Sequence, residues 1–331
     1  MSDSKLIDPF GRNIDYLRIS VTDRCDFRCT YCMDEDVEFL PRRDILSLEE
    51  IVQIATAFTQ LGTRKIRITG GEPLVRKNIL QALEQIAKLP GLDELTITTN
   101  GSQLEKMGQD LFNAGVSRIN VSLDTLKRER FAELTRRDKL DQVLRGIETV
   151  SALPFQQIKL NAVILGGHND DEVEDLVRYA LAHNADISFI EEMPLGVISH
   201  HDRAKVYISS DTLRERLSEH WQLSASERST GGPSRYYDIA GERQQIGFIS
   251  PHSHNFCSTC NRVRLTAEGR LLLCLGNEHS MDLKSIMRDN PNDDVLLRQS
   301  IIESLALKPE KHHFNLEEEP QILRFMSATG G

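Results

Sequence analysis

The sequence predicts an α/β protein: an incomplete (β/α)6 barrel of the TIM type, followed by a C-terminal α+β extension. Short, apolar, β-rich segments alternate with amphipathic stretches through the first two thirds of the 331 residues, which is typical of a parallel sheet covered by helices. This part contains six βα units, whereas a closed barrel of this type needs eight. Beyond about residue 200 the segments become shorter, so we divide the chain into a partial barrel, 1–200, and a C-terminal region, 201–331.

Six segments have the length and composition of buried parallel strands. They are Tyr16–Val21, Lys65–Thr69, Glu94–Thr99, Arg118–Leu123, Ile158–Leu165 and Ile187–Glu191. Several stretches between them carry apolar residues three and four positions apart, as amphipathic helices do. These are Leu48–Leu61, Asn78–Leu89, Leu140–Ala152 and Asp171–Asn184.

The C-terminal region contains four further strand candidates: Tyr236–Ile239, Gln245–Ile249, Val263–Thr266 and Arg270–Cys274. The connection between the last two is Ala267-Glu268-Gly269, a short glycine-containing link that predicts a β-hairpin. The final stretch from Lys308 is charged and ends in Gly330-Gly331. From its residues alone, this end is expected to be frayed.

The charge of the chain argues against two classes of function. The 40 lysine and arginine residues are outnumbered by 50 aspartate and glutamate residues, which gives a net charge of −10. A general nucleic-acid or membrane-surface binder is therefore not expected, and an anionic ligand would need a local basic site. No apolar run approaches the roughly 18 residues of a membrane span, and Met1 to Asp8 lacks the apolar stretch of a signal peptide. We expect a cytoplasmic protein whose thiols stay reduced.

The six cysteines form two triplets separated by a long stretch without cysteine. The first triplet, Cys25, Cys29 and Cys32, follows the first predicted strand in the spacing C-x3-C-x2-C. It should lie at the C-terminal mouth of the barrel, where active sites of this architecture sit. Thiolates bind soft metals and iron–sulfur clusters, and three of them can hold a cubane whose fourth iron stays open. A zinc loop completed by a distant ligand, or a chance cluster, are the alternatives.

Two nearby features indicate which class of metal enzyme carries a triplet of this kind. Tyr31 lies between its last two cysteines, and C-x3-C-x-aromatic-C resembles the signature of radical S-adenosylmethionine (SAM) enzymes. Gly70-Gly71-Glu72-Pro73 ends the second predicted strand, where that superfamily carries Gly-Gly-Glu; alone, these residues would predict a simple turn. The resemblance implies that SAM chelates the open iron and that an electron from the cluster splits it.

The second triplet, Cys257, Cys260 and Cys274, lies just before and within the predicted hairpin in the spacing C-x2-C-x13-C. This spacing fits an iron–sulfur cluster or a zinc ribbon equally well. In a ribbon the fourth ligand would be His252, His254 or His279. Beside the first triplet, a second 4Fe-4S cluster is the better interpretation.

Six segments carry a more specific resemblance. They are Arg18-Ile-Ser-Val-Thr-Asp-Arg-Cys25, Lys65-Ile-Arg-Ile-Thr-Gly-Gly-Glu72, Thr98-Thr-Asn-Gly101, Asn120-Val-Ser-Leu-Asp124, Cys257-x2-Cys260-Asn-Arg-Val-Arg264-Leu-Thr and Gly330-Gly331. Together they resemble the GTP 3′,8-cyclase family of molybdenum cofactor biosynthesis, and the resemblance runs from end to end.

The resemblance implies a lyase that forms a carbon–carbon bond and converts GTP to (8S)-3′,8-cyclo-7,8-dihydroguanosine 5′-triphosphate, the first step of molybdopterin synthesis. The implied cofactors are two 4Fe-4S clusters and SAM, which is cleaved to 5′-deoxyadenosine and methionine. The open iron of the second cluster would bind the purine, and the Gly-Gly end would reach the active site. The implied partners are GTP, a reductant protein such as flavodoxin or ferredoxin, the next enzyme of molybdopterin synthesis, and a second copy in a homodimer.

The family's binding residues carry over to matching positions of this chain. The implied GTP site consists of Arg18, Lys65, Arg67, Thr98, Lys159, Arg262, Val263 and Arg264. Guanidinium and ammonium groups match the oxygens of a triphosphate in charge and geometry, although any of those on strands could instead face outward, since strands alternate faces. The implied SAM site consists of Tyr31, Gly71, Glu72, Ser122 and Met193, some of which could be ordinary packing or turn residues.

The chain departs from the family pattern most visibly at Ser188; in addition, Asp26 replaces a more usual asparagine, and Asp34 follows Met33 where a proline is more usual. Ser188 stands where related chains commonly carry an arginine, so one anionic contact is expected to be missing unless His200, His201 or Arg203 supplies it. Two other classes of protein share parts of the pattern. A peptide-modifying radical enzyme would share the first triplet and the barrel, and a non-catalytic zinc-binding interaction protein would use both triplets structurally.

Overall fold

The computed structural model of the chain describes residues 6–34, 36–196, 198, 201–312, 314–316 and 322–330. Six strands lie side by side in chain order, and each is parallel to the next. They are β1 (Tyr16–Ser20), β2 (Lys65–Thr69), β3 (Glu94–Thr99), β4 (Arg118–Ser122), β5 (Gln157–Ile164) and β6 (Asp186–Glu191). The predicted partial barrel is confirmed, with strand ends that differ from the prediction by at most one residue.

Helices connect these strands: α1 (Leu48–Gln60), α2 (Ile79–Ala87), α3 (Leu104–Asn113), α4 (Arg128–Thr135), α5 (Leu140–Ser151) and α6 (Val173–Ala182). Helix α1 begins with a capping box, because the Ser47 hydroxyl accepts from the Glu50 amide and the Glu50 carboxylate accepts from the Ser47 amide. The sequence patterns did not predict α3 and α4. Helix α4 is mostly charged and buries little beyond Phe131 and Leu134. None of the helices in the described ranges is long and apolar enough to cross a bilayer.

The C-terminal region adds strands to both edges of the barrel sheet. These are β7 (Leu223–Ala225), β8 (Arg235–Ile239), β9 (Gln245–Ile249), β10 (Arg262–Leu265), β11 (Arg270–Leu272) and β12 (Ser280–Asp282). Strand β10 pairs in parallel with β1, and β9 pairs in parallel with β6. The predicted hairpin is confirmed as β10–β11, with Gly269 in its turn at φ +88°. The extension therefore shares the barrel's sheet and does not form a separate layer.

The remaining helices cover this extension: α7 (Arg203–Val206), α8 (Ser210–Ser218), α9 (Leu283–Asp289), α10 (Asp294–Ser304) and α11 (Met326–Thr329). Helix α11 belongs to the stretch that was expected to be frayed. For residues 322–330 this expectation is wrong: Thr329 is buried, and the Gly330 carbonyl accepts from Arg264 Nη1 at 2.5 Å. Gly331 lies outside the described residues.

The parallel strands separate an apolar outer face from a polar interior. Leu17, Ile19, Ile66 and Ile68 are fully buried and belong to the main apolar core. The alternating positions carry Arg18, Arg67, Asn120 and Lys159, which are also almost completely buried. Burying charge is unfavourable unless a partner of opposite sign is present. The interior of this barrel is therefore built to receive an anion.

Candidate active site

The first cysteine triplet lies in the loop that follows β1. The Cys32 amide donates to the Cys29 carbonyl at 3.0 Å, which turns the loop back on itself. All three cysteines line one cavity at the carboxyl ends of the strands, and none forms a disulfide. Around the cavity, the Phe27 amide lies 3.3 Å from Cys25 Sγ and Asn100 Nδ2 lies 3.7 Å from it.

The surroundings of the triplet suit a metal cluster. Burial is the main cause that raises the pKa of Cys25 and of Cys32 to about 12, and the carboxylates of Glu72 and Asp124 add to it. Such thiols ionise when bound metal supplies positive charge. The corners of a cubane are spread apart, and three thiols around one cavity fit that shape.

The Gly-Gly-Glu segment is bonded directly to the triplet loop. The Gly71 amide donates to the Thr22 carbonyl at 2.7 Å, and the Glu72 amide donates to the Arg24 carbonyl at 2.8 Å. A Cβ atom on Gly71 would overlap the Arg24 carbonyl. Glycine is therefore required here because two main-chain segments are in contact.

We expect Gly71→Ala to lower the unfolding free energy by about 1–3 kcal/mol, because backbone must move to admit the methyl group. Thermal denaturation of the variant would measure this loss, and iron content after anaerobic purification would show whether the triplet loop is displaced. Gly232→Ala is the matched control, since a Cβ atom there would meet only Thr230 Oγ1 at 3.6 Å. Equal stability of the two variants would contradict the close contact.

Glu72, expected in the SAM site, has three hydrogen-bond partners within the protein. Its carboxylate is completely buried and accepts from the Leu74 amide at 3.0 Å, Thr99 Oγ1 at 2.8 Å and the Asn100 amide at 2.6 Å. It does not appear among the residues that line the first cavity. Through these bonds Glu72 holds the loop that presents Asn100, and its place in the SAM site stays a prediction.

The other expected SAM residues do line the first cavity. Tyr31, Gly71, Ser122 and Met193 are all part of its wall. The Tyr31 hydroxyl donates to Asp124 Oδ2 at 2.6 Å, which fixes the ring beside the triplet. Burial is the main cause that raises the pKa of Asp124 to about 6, which the hydrogen bond from Tyr31 partly offsets. Thr98, expected in the GTP site, lines this first cavity too.

A second cavity is lined by most of the buried cations. Its wall includes six of the eight expected GTP residues: Arg18, Arg67, Lys159, Arg262, Val263 and Arg264. Three of them form a row across adjacent strands, because Arg264 on β10 is the register partner of Arg18 on β1, which in turn pairs with Arg67 on β2. Burial and neighbouring cations lower the pKa of Arg264 well below its ordinary value, as expected for a site that lacks its anion.

Lys65 lies beside this cavity but does not line it. Its ammonium group forms an ion pair with Glu94 at 2.5 Å and donates to the Thr230 carbonyl at 2.7 Å. Burial opposes ionisation of Glu94, but Lys65 and Arg118 outweigh it and lower the pKa of this carboxyl to about 2. Lys65 is thus already paired within the protein, and it lies beside the arginine and lysine side chains that line the second cavity.

Several buried polar atoms around the two cavities have no hydrogen-bond partner within the described ranges. They are Arg18 Nε, Arg67 Nε, Thr98 Oγ1 and Asn161 Oδ1. Buried polar groups are nearly always paired in native proteins. This concentration in one place indicates a polar ligand that completes the site.

The second triplet lines the second cavity and lies in a cationic environment. Cys257, Cys260 and Cys274 all form part of its wall. Lys308 Nζ donates to the carbonyls of Leu273 at 2.6 Å and Arg262 at 2.9 Å, and lies 3.8 Å from Cys260 Sγ. Burial alone would raise the pKa of Cys260, but Arg262, Lys308 and Arg12 lower it overall. At the second triplet, fixed cations therefore favour the thiolate form of Cys260. At the first triplet, nearby carboxylates disfavour the thiolate form of Cys25 and Cys32.

Two of the histidines considered as zinc ligands have other partners. His252 Nε2 lies 2.8 Å from the Glu192 carbonyl, and His254 Nε2 lies 2.6 Å from Asp211. A residue that contacts this triplet is Arg12, whose Nη1 donates to the Cys257 carbonyl at 2.7 Å. The chemistry around this triplet therefore fits a cluster held by three thiolates better than a ribbon completed by His252 or His254.

The two cavities adjoin. Asn161, Ile190, Met193 and Met326 line both of them. Each cavity has one cysteine triplet in its wall, and the buried arginines lie in the second. The two cysteine triplets therefore face adjoining cavities, and the row of buried arginines faces the second of them.

Comparison with known proteins identifies the family. Residues 19–180 match the model of the Radical SAM superfamily, and residues 185–314 match that of Molybdenum Cofactor Synthesis C. A GTP 3′,8-cyclase from Ectopseudomonas mendocina (strain ymp) is 59% identical over 331 residues and is covered over 100% of both chains. This chain belongs to the GTP 3′,8-cyclase family. Membership of the radical SAM superfamily implies a 4Fe-4S cluster and SAM.

Other family members are equally similar. The GTP 3′,8-cyclase of Pseudomonas entomophila (strain L48) is 60% identical over 327 residues, which is 98% of each chain. GTP 3′,8-cyclase 2 of Pseudomonas aeruginosa is 58% identical over 100% of each chain. Among solved structures, Streptococcus suis SuiB bound to S-adenosylmethionine has a TM-score of 0.60 and 17% identity, covering 96% of this chain and 78% of that one. At this identity, the likeness shows the fold alone.

Sequence reasoning missed several residues of the site. Asn161 lines both cavities and lies two positions from Lys159 on the same strand, so the two-residue period of a strand would have placed both side chains on the same face. Lys308 and Arg12 are far in sequence from the cysteines that they contact. No local pattern indicates those contacts.

Ser188, which stands where related chains commonly carry an arginine, is packed within the sheet. Its hydroxyl lies 2.9 Å from Ser234 Oγ, and a Cβ atom on the neighbouring Gly247 would overlap both hydroxyls. His201 and Arg203 contact Glu192 at 2.7 and 3.0 Å, so both already have an anionic partner. His200 lies outside the described residues.

Proposed function

We propose that this chain catalyses the radical SAM GTP 3′,8-cyclase reaction, which forms (8S)-3′,8-cyclo-7,8-dihydroguanosine 5′-triphosphate from GTP as the first step of molybdenum cofactor biosynthesis. The observation that carries the proposal is the pair of adjoining cavities, each with a cysteine triplet in its wall and one with a row of buried arginines. Family membership adds the identity of the substrate.

The first cavity is the proposed SAM site. Cys25, Cys29 and Cys32 hold a 4Fe-4S cluster, which when bound with SAM supplies the electron and the open iron for reductive cleavage. Tyr31, Ser122 and Met193 wall the space beside the cluster. Apolar walls such as Met193 and Ile190 exclude water from this space, which protects a reactive intermediate.

The second cavity is the proposed GTP site. Arg18, Arg67, Lys159 and Arg264 bind the triphosphate, because these fixed cations face the cavity. Lys65 supports these cations through Glu94 and Thr230. Cys257, Cys260 and Cys274 hold a second cluster beside Arg262 and Val263, where its open iron would receive the purine. The ribose then lies at the shared wall, next to the first cavity.

The division at residue 200 is thus proposed as a division of roles: residues 1–200 generate the radical, and residues 201–331 complete the substrate site. We further propose flavodoxin or ferredoxin as the reductant, the next enzyme of molybdopterin synthesis as the recipient of the product, and a homodimer as a possible assembly state to measure. A cytoplasmic location is proposed because the cysteine ligands must remain reduced.

Anaerobic incubation of the cluster-loaded chain with GTP, SAM and a reductant tests the proposal. Mass analysis is expected to show 5′-deoxyadenosine and a cyclised nucleotide together. A chain that contains both clusters and forms neither product would refute the function. A colourless, zinc-loaded preparation would refute the clusters themselves.

The lysine beside the second triplet gives a separate prediction. Lys308 is 3% exposed, and its ammonium group donates to the carbonyls of Arg262 and Leu273, which lie close in sequence to Cys260 and Cys274. In Lys308→Met these carbonyls lose their donor, so we expect the second cluster to be lost and iron content to fall by about half. Lys284→Met is the control, because Lys284 makes a similar bond to the Asp44 carbonyl away from the cysteines. Full iron content in Lys308→Met would show that the triplet does not depend on this lysine.

A further inference from the structure

Two serine hydroxyls lie together beside the second cavity, where β6 meets the loop that precedes β8. Ser188 Oγ is 2.9 Å from Ser234 Oγ, and both side chains are buried. Ser234 is part of the cavity wall, whereas Ser188 lies behind it and does not reach the wall. Neither residue is among those expected to bind GTP or SAM. We call these two residues the serine pair.

The register of the strands places the serine pair inside the barrel. Ser188 on β6 is the partner of Asn161 on β5 and of Gly247 on β9. Partners on adjacent strands have their side chains on the same face of a sheet, and Asn161 lines both cavities. The Ser188 side chain therefore points to the barrel interior. Because a Cβ atom on Gly247 would overlap both hydroxyls, the glycine leaves the space in which the pair forms.

The wall with the serine pair differs in charge from the wall with the row of arginines. Arg264, Arg18 and Arg67 lie on β10, β1 and β2. Strands β6 and β9 contain neither lysine nor arginine. A triphosphate inside a barrel presents oxygens to more than one wall, and serine hydroxyls donate to phosphate oxygens as cations do. On the β6 side, a bound triphosphate would thus meet hydroxyl donors.

The number of protons decides the direction of the bond within the pair. Two hydroxyls carry two protons, and the bond between them uses one. If Ser234 donated, the proton of the completely buried Ser188 would have no acceptor among the described residues, which is unfavourable. If Ser188 donates, the remaining proton is on Ser234 at the cavity wall. The second arrangement is favoured, and it directs one donor into the cavity.

We propose that Ser234 is a further substrate-binding residue whose hydroxyl donates a hydrogen bond to a phosphate oxygen of bound GTP, and that Ser188 is the positioning residue that orients this hydroxyl. The inference rests on the proposed function. A neutral pair of hydroxyls then takes the place of the arginine that related chains commonly carry at position 188. A hydroxyl acts only at hydrogen-bond distance, so the contact depends on the orientation that Ser188 gives it.

The loop that carries Ser234 has other anchors on the barrel. Lys65 Nζ donates to the Thr230 carbonyl at 2.7 Å, and Thr230 Oγ1 lies 3.4 Å from Tyr236 Oη. Removing one serine oxygen leaves these contacts in place. Serine-to-alanine variants of the pair should therefore keep the loop in position, which makes binding measurements on them interpretable.

The experiment measures equilibrium binding of GTP and of guanosine to the cluster-loaded protein under anaerobic conditions. Wild type, Ser234→Ala, Ser188→Ala and the double variant form a mutant cycle. Ser250→Ala is the matched control, because Ser250 Oγ donates to Ser210 Oγ at 2.7 Å in another buried pair of serines that lines neither cavity. Iron content and thermal denaturation show whether each variant keeps its clusters and its fold.

Ser234→Ala is expected to weaken GTP binding about tenfold or more, because a hydrogen bond to a charged group is lost, and to leave guanosine binding unchanged. Ser188→Ala should weaken GTP binding about two- to fivefold, because the Ser234 hydroxyl remains but is no longer oriented. The double variant should bind GTP no more weakly than Ser234→Ala, since Ser188 acts only through Ser234. Ser250→Ala should match the wild type.

Four results would each overturn the inference and leave the proposed function intact. They are equal GTP affinity in Ser234→Ala and Ser250→Ala, an equal loss of guanosine binding, additive losses in the double variant, and loss of a cluster in Ser234→Ala. A wild type that binds no GTP would overturn the proposed function itself.

Discussion

Cys32→Ala should abolish 5′-deoxyadenosine formation and reduce the iron content of the protein by about half, because a cluster held by three thiolates loses one corner. The loss of SAM cleavage should be at least about a thousandfold, since this step depends entirely on the first cluster. GTP binding should persist, because Cys32 lines the first cavity and not the second. Iron and sulfide analysis, with separate assays for 5′-deoxyadenosine and GTP binding, would measure each effect.

Cys274→Ala is the matched variant in the other triplet. It should also reduce the iron content by about half, but it should keep the ability to cleave SAM and lose the cyclised nucleotide. The opposite result for either variant would contradict the proposed roles of the two triplets. Loss of all iron in both variants would instead show that the two sites fold as one unit.

Arg264→Ala should lower kcat/KM for GTP by about a hundredfold or more, because it removes a buried charge that faces the triphosphate. Arg264 is 8% exposed, lies in the row with Arg18 and Arg67, and donates to the Gly330 carbonyl. The variant therefore loses a substrate contact and the bond that holds the C-terminal segment beside the cavity. Steady-state kinetics and direct GTP binding would separate these two effects.

Arg270→Ala on the next strand is the control, since Arg270 bonds to the Ser280 hydroxyl and lies outside both cavity walls. Iron content should be normal in both arginine variants. If Arg264→Ala also lost the second cluster, Arg264 would have a structural role and not only a role in substrate binding. If its kinetics matched those of Arg270→Ala, the triphosphate would lie elsewhere.

The alternation of short apolar strands with helices predicted β1 to β6 closely, because each βα unit is a local pattern. The joining of β10 to β1 was not predicted, since it pairs Tyr16 with Arg262 across most of the chain and leaves no local trace. The same limit applies to the end of the chain: glycine and charge predicted fraying, whereas Arg264 binds the Gly330 carbonyl.

The cysteine spacings and the family motifs indicated most of the site, since six of the expected GTP residues line one cavity and four of the expected SAM residues line the other. Glu72 and Lys65 do not line either cavity, and each has hydrogen-bond or ion-pair partners within the protein. Lys65 and Glu94 are register partners on neighbouring strands, so their ion pair depends on strand order. A motif gives the identity of a residue, but the direction of its side chain depends on such neighbours.

The parallel ladder between β1 and β10 has a consequence for the growing polypeptide. During synthesis from the N-terminus, β1 emerges first and its outer edge has no neighbour until residues 262–265 have been made. An uncovered edge strand is a template for pairing with other chains. A product that stops short of β10 would keep the first cysteine triplet and β1 to β6, yet would expose this edge and lack Arg262 and Arg264. The strand that completes the nucleotide site is therefore also the one that protects the barrel from aggregation.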